Sequence, residues 1–264
     1  MALFTNDLDN SEIVRFNGST GTFQSVVVPV SNGGSITVGA DGTIYEATAY
    51  STGQFINGQF VVTDPFRGHV LGYNPLTGSL QSDYKGAIGG EFDDLRFGPD
   101  HNLYVTDNLK NQVVRFNGQT GAPQGAFTSG GALQNPFGLA FGPDGNLYVT
   151  SRDNHEILRY NGSTGAFLDV FASGAGLSFP DYAVFGPDRN LYVADFGANE
   201  ISRFNGTTGA HDVFASGAGP LAFAPTPEPG ALTLFLGVCG TGGGLLLRHH
   251  RRRRPCRAVP SDQK

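Results

Sequence analysis

The sequence predicts an all-β fold built from repeated four-stranded sheets, and three repeated patterns support this prediction. A motif of the type RFNGSTG occurs five times, starting at Arg15, Gly72, Arg115, Arg159 and Arg203. A second motif, FGPD, occurs three times at intervals of 44 residues, starting at Phe97, Phe141 and Phe185. A third motif, LYVTD or a close variant, follows each FGPD, starting at Leu103, Leu147 and Leu191. Such a period indicates a fold assembled from copies of one structural unit.

The elements of one unit follow in order along residues 139–173. LAF is an apolar first strand, and the Pro, Asp and Gly of the next segment, GPDGN, suit a tight turn. LYVTS has the alternation of a half-buried second strand. The polar loop RDNHE leads to a third strand, ILRY. The Asn-Gly of NGSTG then turns the chain into a fourth strand, AFLDVF, before a glycine-rich link to the next copy.

Four strands in about 40–45 residues are the unit of a β-propeller, whose blades stack their apolar faces on one another. A β-helix has a shorter period, and a β-sandwich gives no reason for near-identical copies. We therefore predict a propeller over residues 1–225 with about five four-stranded blades, or six if the N-terminus is truncated. The repeats lie near residues 1–36, 37–94, 95–138, 139–182 and 183–225.

The first two repeats are less regular than the others. LFTND at Leu3 matches LYVTD, so the chain is expected to open in the second strand of a blade. In the second repeat, FINGQFVVTD (Phe55 to Asp64) matches GPDGNLYVTD, which leaves VGADGTIYEATAYSTG as an extra stretch. PLAFAP (Pro220 to Pro225) matches a first strand, and we expect it to pair with the N-terminal strands and close the ring. The alternative is that one or more N-terminal blades are missing.

Two of these patterns, FGPDGNLYVTD and N-x-x-[IV]-x-R-[FY], resemble the repeats of the NHL family of β-propellers. The resemblance covers about residues 1–225 and is clearest from Phe97 to Gly209. It implies six blades as the commonest number. Some NHL-like and related propellers are enzymes of the lactonase or lyase kind, so the resemblance alone names no ligand and no activity.

Charge is distributed unevenly along the chain, whose formal net charge is −6. Residues 248–264 contain seven of the 17 Lys and Arg residues but only one of the 23 Asp and Glu residues. The first 247 residues therefore have ten basic and 22 acidic side chains. This acidic body argues against nucleic acid as a partner. The two cysteines, Cys239 and Cys256, lie outside the predicted propeller, so we expect no disulfide within it.

The C-terminal residues 226–264 have three parts in a fixed order. Pro227, Glu228 and Pro229 come first, and an uncharged apolar segment follows at 231–247. As a transmembrane helix this segment is about 26 Å long, the lower limit for crossing a bilayer. The last part is a basic cluster, formed by Arg248, Arg251, Arg252, Arg253 and Arg254. Its charge places this end of the helix in the cytoplasm.

This order of parts resembles a PEP-CTERM sorting signal. The resemblance implies a bacterial exported protein, held at the membrane by the helix until an exosortase cuts near the motif. Export also needs a signal peptide, but MALFTNDLDNSEI has neither its basic nor its apolar region. We therefore interpret the start as truncated. The expected location is the membrane during export, and then the cell surface or the medium.

One polar position recurs just before the third strand of each repeat. It is occupied by Glu12, His69, Gln112, Glu156 and Glu200. Gathered around the channel, these side chains would hold a cation such as Ca²⁺; alternatively, each one only caps its own strand. No other cofactor is expected. Asp100, Asp144 and Asp188 also recur, but they lie in turns, where an aspartate accepts backbone N–H bonds.

The sequence thus favours a non-catalytic propeller at the cell surface or in the extracellular matrix, with an unidentified protein or polysaccharide as ligand. No histidine cluster with metal spacing and no nucleophile motif supports an enzyme. A propeller enzyme of the lactonase or lyase type and a tail-anchored scaffold are the alternatives.

Overall fold

The computed structural model describes residues 2–7, 12–17, 23–29, 33–39, 41–48, 53–56, 59–62, 68–74, 76–77, 79–85, 90–128, 130–174, 176–217, 221–225 and 232–236. Within these ranges the regular structure consists of β-strands, which confirms the predicted all-β class. In the same ranges, no helix has the length and apolarity that a membrane crossing requires.

The first sheet has three antiparallel strands, β1 (Ala2–Asp7), β2 (Glu12–Asn17) and β3 (Phe23–Pro29). Leu3 of β1 lies opposite Phe16, as Leu103 lies opposite Phe116 in a later repeat. This register confirms that LFTND is a second strand. Among the described residues, no strand pairs with the other edge of β1.

The next sheet, blade I, contains an inserted hairpin. The blade has four strands and the hairpin has two, which in chain order are β4 (Gly33–Val38), β5 (Ile44–Thr48), β6 (Gly53–Ile56), β7 (Gln59–Val62), β8 (His69–Tyr73) and β9 (Leu80–Lys85). Among the described strands, the blade order is β4-β5-β8-β9, and β6 and β7 pair with each other as a separate hairpin. The alignment of Phe55 to Asp64 with a second strand was therefore wrong. Asp41 accepts the N–H of Thr43 (3.0 Å), so Asp41 holds a turn that leads directly into β5, as the aspartate of GPD does elsewhere.

Three further four-stranded blades follow. Blade II contains β10 (Phe92–Phe97), β11 (Leu103–Asp107), β12 (Gln112–Phe116) and β13 (Pro123–Ala126). Blade III contains β14 (Pro136–Phe141), β15 (Leu147–Ser151), β16 (Glu156–Tyr160) and β17 (Phe167–Ser173). Blade IV contains β18 (Pro180–Phe185), β19 (Leu191–Asp195), β20 (Glu200–Phe204) and β21 (His211–Ser216). A final hairpin consists of β22 (Leu221–Pro225) and β23 (Leu232–Leu236).

The described residues thus form four complete blades, whereas about five were predicted. The difference arises because β22 pairs with β23 and not with β1, so the N-terminal sheet keeps three strands. The predicted C-terminal helix at 231–247 is not supported, because residues 232–236 form a strand. The remaining residues of that segment lie outside the described ranges, as do Pro227, Glu228, Pro229 and the arginine cluster.

Aromatic rings link each blade to the next. Tyr148 of blade III is fully buried and lies between Phe171 of its own blade and Phe185 of blade IV, with both ring centroids 4.9 Å away. Tyr104 of blade II has the same arrangement, with Phe127 at 4.8 Å and Phe141 at 4.9 Å. These edge-on ring contacts stabilise the stacking of neighbouring blades.

The turn between the first and second strands is held by its aspartate, as predicted. In blade III, Oδ1 of Asp144 accepts the N–H of Asn146 (3.1 Å), and Oδ2 accepts the hydroxyl of Tyr148 (3.0 Å). Burial alone would raise the pKa of Asp144, but the hydrogen bonds outweigh burial and lower it. The adjacent hairpin needs glycine at Gly162, because a Cβ there would collide with the carbonyl oxygen of Gly145. Asp100 and Asp188 make the same bonds in their own turns.

The first strands of the blades pack side by side around the central axis. β4 contacts β10, β10 contacts β14, and β14 contacts β18. Each of these strands has a β-bulge near its start, where pairing with the second strand is interrupted. A bulge redirects side chains and often lies beside a functional site.

Candidate binding site at the channel mouth

The four bulges lie at one end of the axis, which we call the channel mouth. There the first strands begin and the second strands end. The bulged pairs are Gly34-Ser35, Asp93-Asp94, Phe137-Gly138 and Asp181-Tyr182. Three of these eight residues are aspartates, and all three are buried. Buried carboxyl groups in the first strands make the mouth the strongest candidate site in the described part of the chain.

Asp94 fastens blade II to blade III. Its side chain has no exposed surface, and its Oδ1 accepts the N–H of Leu95 (3.0 Å). Its Oδ2 accepts the N–H of Leu139 in β14 (3.1 Å), and Nη1 of Arg96 lies 3.0 Å from Oδ1. Each carboxylate oxygen thus has a protein partner, which gives Asp94 a structural role at the mouth.

Asp93 has a different environment. Nδ2 of Asn108 donates to Oδ2 of Asp93 at 2.6 Å, and the residue keeps 9% of its surface exposed. Burial raises the pKa of Asp93 to about 8, with further contributions from the nearby carboxyl groups of Glu91 and Asp181. At neutral pH the Asp93 carboxyl is therefore mainly protonated and can donate a hydrogen bond to a ligand.

Asp181 forms an ion pair with Arg152, which also contacts two aromatic rings. Nε of Arg152 lies 3.1 Å from Oδ1 of Asp181, without the alignment of a hydrogen bond. Burial raises the pKa of Asp181 to about 7, although Arg152 opposes the shift. The guanidinium carbon lies 4.6 Å from the ring centre of Phe137 and 5.4 Å from that of Phe179. These contacts hold the arginine beside the mouth.

Tyr182 connects opposite sides of the mouth. Its hydroxyl forms a hydrogen bond with Ser35 of β4, although blades II and III separate Tyr182 from blade I along the ring. Burial raises the pKa of Tyr182, and Asp94 and Asp181 raise it further. The tyrosine therefore remains neutral and brings its hydroxyl into the polar group formed by the aspartates.

Two exposed aromatic rings flank this polar group. Phe179 is 42% exposed and Phe196 is 37% exposed. Phe196 contacts Tyr182, with ring centroids 6.2 Å apart, and Phe179 contacts Arg152. Large apolar rings at the surface next to buried polar side chains are typical of ligand sites, which combine apolar walls with a few polar groups.

The predicted ring of polar residues lies farther from the axis, at the starts of the third strands. Gln112 donates to Oδ2 of Asp107 (3.1 Å), and Oε1 of Glu200 lies 3.3 Å from the hydroxyl of Ser202. His69 bonds to Asp83 in the fourth strand of blade I (2.7 Å). Glu156 lies opposite Ser151, and Glu12 lies opposite Asp7. The hydrogen bonds described for Gln112, Glu200 and His69 thus each lie within one blade.

No cluster of metal-binding side chains is found in the described part of the chain. There, no three His, Cys, Asp or Glu side chains are grouped so that they could hold a metal ion. The calcium ion suggested for Glu12, His69, Gln112, Glu156 and Glu200 stays a prediction.

The sequence reasoning missed Asp93 and Asp181 because they do not recur in every repeat. FDDLRF and PDYAVF align with PFGLAF, in which Phe137 and Gly138 occupy the bulge. An acidic residue in a first strand that is otherwise apolar departs from the repeat, and this departure is the sequence signal that could have identified Asp93 and Asp181.

The raised pKa values predict how stability depends on pH. Burial also raises the pKa of Glu46 to about 7, and its Oε1 is buried without a hydrogen bond. Glu46, Asp93 and Asp181 all bind protons more tightly in the folded chain than in the unfolded chain. The free energy of unfolding should therefore fall by several kcal/mol as the pH rises from 5 to 8.5. Urea unfolding at each pH measures this slope.

Asp93→Asn is the matched test of this pH dependence. An amide cannot ionise, so the variant should show a shallower loss of stability between pH 5 and pH 8.5 than the unaltered chain. An unchanged slope in the variant would contradict the assignment of the titration to Asp93.

Comparison with known proteins supports the fold. No protein-family model and no curated protein sequence matches the chain. Solved structures do match it. A catalytically inactive virginiamycin B lyase from Staphylococcus aureus with quinupristin is 18% identical, with a TM-score of 0.62 over 89% of this chain and 72% of the lyase chain.

Two further structures are similar to the same extent. A gluconolactonase from Xanthomonas campestris is 17% identical, with a TM-score of 0.65 over 90% of this chain and 80% of the enzyme. A chain of a nidogen/laminin complex is 15% identical, with a TM-score of 0.64 over 89% of this chain and 83% of that one. At such identities the similarity shows the fold alone. The protein has a β-propeller fold.

Proposed function

We propose that the protein is an exported, non-catalytic propeller that binds a polysaccharide at the channel mouth. One observation carries this proposal: the exposed rings of Phe179 and Phe196 flank a group of buried polar side chains. A phenyl ring offers a flat apolar face to the C–H groups of a sugar. Protonated Asp93, Asn108 and Arg152 offer hydrogen bonds to its hydroxyl groups.

A glycan array of bacterial exopolysaccharide fragments tests this proposal. We expect the full chain to bind a subset of the fragments, and Phe179→Ala and Phe196→Ala each to weaken that binding by about tenfold, the effect of losing about 1.4 kcal/mol. Phe214→Ala is the matched control, because Phe214 is 41% exposed but lies on the outer strand of blade IV. Equal effects of all three substitutions, or no binding by the unaltered chain, would contradict the proposal.

The proposed route to the surface is sorting by an exosortase. Pro227, Glu228 and Pro229, the apolar segment at 231–247 and the arginine cluster support it by their order. The segment is only about 26 Å long as a helix, which suits transient insertion better than permanent anchoring. Cleavage would release an acidic propeller at the cell surface and remove both cysteines.

Expression of the gene, with an export signal, in a host that has an exosortase tests the sorting. Mass spectrometry of the surface fraction should find a mature chain that ends near Gly230. Replacing Pro227, Glu228 and Pro229 by alanine should leave the chain uncut and membrane-bound, because the apolar segment and the arginines remain. A surface chain that extends to Lys264 would contradict the sorting.

An enzyme of the lactonase or lyase type is the second candidate. The observation that favours it is the pair of carboxyl groups with pKa values near neutrality, about 8 for Asp93 and about 7 for Asp181. Such groups suit general acid and base catalysis. Incubation with gluconolactone and with a streptogramin B, followed by mass spectrometry, tests this reading. Turnover that Asp93→Asn abolishes would support it over the binding protein.

A further inference from the structure

One face of blade IV is less covered than the equivalent faces of blades II and III. Tyr192 contacts Phe214 of its own blade at 5.0 Å, as Tyr104 contacts Phe127. However, Phe214 is 41% exposed, whereas Phe127 is 7% exposed. The repeat places Phe223 of β22 at the position of Phe141 and Phe185, the rings that complete the arrangement in the other blades. Blade IV therefore lacks the cover of a complete following blade.

The strand β22 lies where the first strand of that following blade belongs. It contacts β18 and β19, just as β18 contacts β14 and β15. Its sequence, LAFAP, matches the LAFGP that begins at Leu139. In position and in sequence, β22 is thus a first strand.

The strand β23 occupies the second-strand place beside β22. Ala222 lies opposite Phe235 and Phe223 lies opposite Leu234. In blade III, Ala140 lies opposite Tyr148, and Phe141 lies opposite Leu147. The Leu-Phe pair of β23 therefore has the register of the Leu-Tyr pair of a true second strand.

The strand β1 fits the same place. Its Leu3-Phe4 aligns with the Leu-Tyr of LYVTS, and it already pairs with β2 in the register of a second strand. In the described ranges the other edge of β1 has no strand beside it. Two segments of this chain, β1 and β23, thus match the second-strand place beside β22. Only β23 follows Pro227, Glu228 and Pro229.

We propose that β23 is a temporary partner of β22, and that removal of the tail lets β1 take its place. The new sheet, β22-β1-β2-β3, is a fifth four-stranded blade that covers blade IV and closes the ring. Pairing the edge of β1 that no described strand covers and burying the apolar face of blade IV both favour this change. The inference rests on the proposed sorting, in which residues 232–236 leave β22 for the membrane and are then cut off, so that sorting and ring closure form one sequence of events.

Disulfide trapping in the full chain tests this inference without an exosortase. Extending the alignment places Thr5 opposite Leu221, as Val149 lies opposite Leu139. Cysteines are introduced as Thr5→Cys and Leu221→Cys, in a chain with Cys239→Ser, Cys256→Ser and a specific protease site inserted after Gly230. Since the other residues contain no cysteine, only the intended pair can form. Opposed strand positions have the Cα separation that a disulfide needs.

We expect the disulfide to form in most molecules after the protease has cut the tail, and in few of them before. The control pair Leu221→Cys and Leu236→Cys should show the reverse, because these residues face each other across β22 and β23. Hydrogen exchange gives a second measurement in chains without added cysteines: the amides of Leu3 to Asp7 should become protected on cutting. No trapping and no new protection after cutting, or equal trapping before it, would overturn the inference. Failure of an exosortase to cut the natural tail would instead contradict the proposed sorting and leave this result standing.

Discussion

Replacing Tyr148 by alanine should lower the free energy of unfolding by about 3–5 kcal/mol, the usual cost of removing a large buried aromatic side chain. Tyr148 has no exposed surface and lies between Phe171 and Phe185, which belong to two different blades. The substitution therefore leaves a cavity at the boundary between blades III and IV. Urea unfolding of the full chain measures the loss as a shift of the midpoint.

Tyr148→Phe is the control for this prediction. It keeps the ring between its two neighbours and removes only the hydroxyl that donates to Asp144 (3.0 Å). The expected loss is about 1 kcal/mol, the net value of one hydrogen bond. If Tyr148→Ala lowered the free energy of unfolding no more than Tyr148→Phe does, the ring contacts would not be what holds these blades together.

Asp94→Ala should lower the free energy of unfolding about as much as Tyr148→Ala, but for a different reason. The substitution removes the acceptor of the Leu95 and Leu139 N–H groups and the partner of Arg96. A buried donor without an acceptor costs about 1–3 kcal/mol, and breaking a buried ion pair about 3–5 kcal/mol. We therefore expect a loss of about 3–5 kcal/mol in urea unfolding. The amide of Leu139 should also exchange faster in the folded state.

Asp94→Asn separates the two contributions. Its side-chain oxygen can still accept the N–H of Leu139, but the negative charge beside Arg96 is gone. The variant should lose less stability than Asp94→Ala and keep most of the protection at Leu139. Unchanged exchange at Leu139 in the alanine variant would show that the side chain of Asp94 does not join the two blades.

The blades could be predicted from the sequence because each blade is a local structure. Strand alternation, the GPD turn and the Asn-Gly hairpin all act within about 44 residues, and the strands of blades II, III and IV appear where the repeats place them. The number of complete blades depends instead on whether β22 pairs with β1 or with β23. In the sequence, β1 lies more than 200 residues from β22, whereas β23 begins seven residues after β22 ends. The repeat pattern does not indicate which of the two strands pairs with β22.

The insertion in blade I was misplaced for a similar reason. FINGQFVVTD looks like the repeat because it alternates and ends in VTD, and VGADGTIYEAT looks less regular. The structure shows that the turn decides the alignment: Asp41 holds a tight turn through its hydrogen bonds with Thr43, and Ile44–Thr48 follows as the second strand. Apolar alternation alone does not distinguish a blade strand from a strand of an inserted hairpin.

The candidate site was harder to predict than the fold. The search for recurring polar residues led to the third strands, where a polar side chain is needed in every blade. The side chains at the mouth do not recur in every repeat, because Asp93 and Asp181 replace apolar or small residues at bulges. The position of a bulge depends on strand pairing, which the repeat pattern does not describe. Their proximity to Arg152 and Tyr182 follows from the closure of the blades around the axis, which no local pattern describes.

The two ends of the axis differ in the state of their carboxyl groups. At the end opposite the mouth, hydrogen bonds lower the pKa of Asp100 and Asp144, so these turns stay negatively charged at neutral pH. At the mouth, Asp93 is mainly neutral at the same pH, because its pKa is raised to about 8. The Asp93 carboxyl therefore offers no charge repulsion to an anionic group of a ligand, whereas the carboxylates of Asp100 and Asp144 do. As the pH rises above 8, Asp93 ionises as well, and this difference between the two ends disappears.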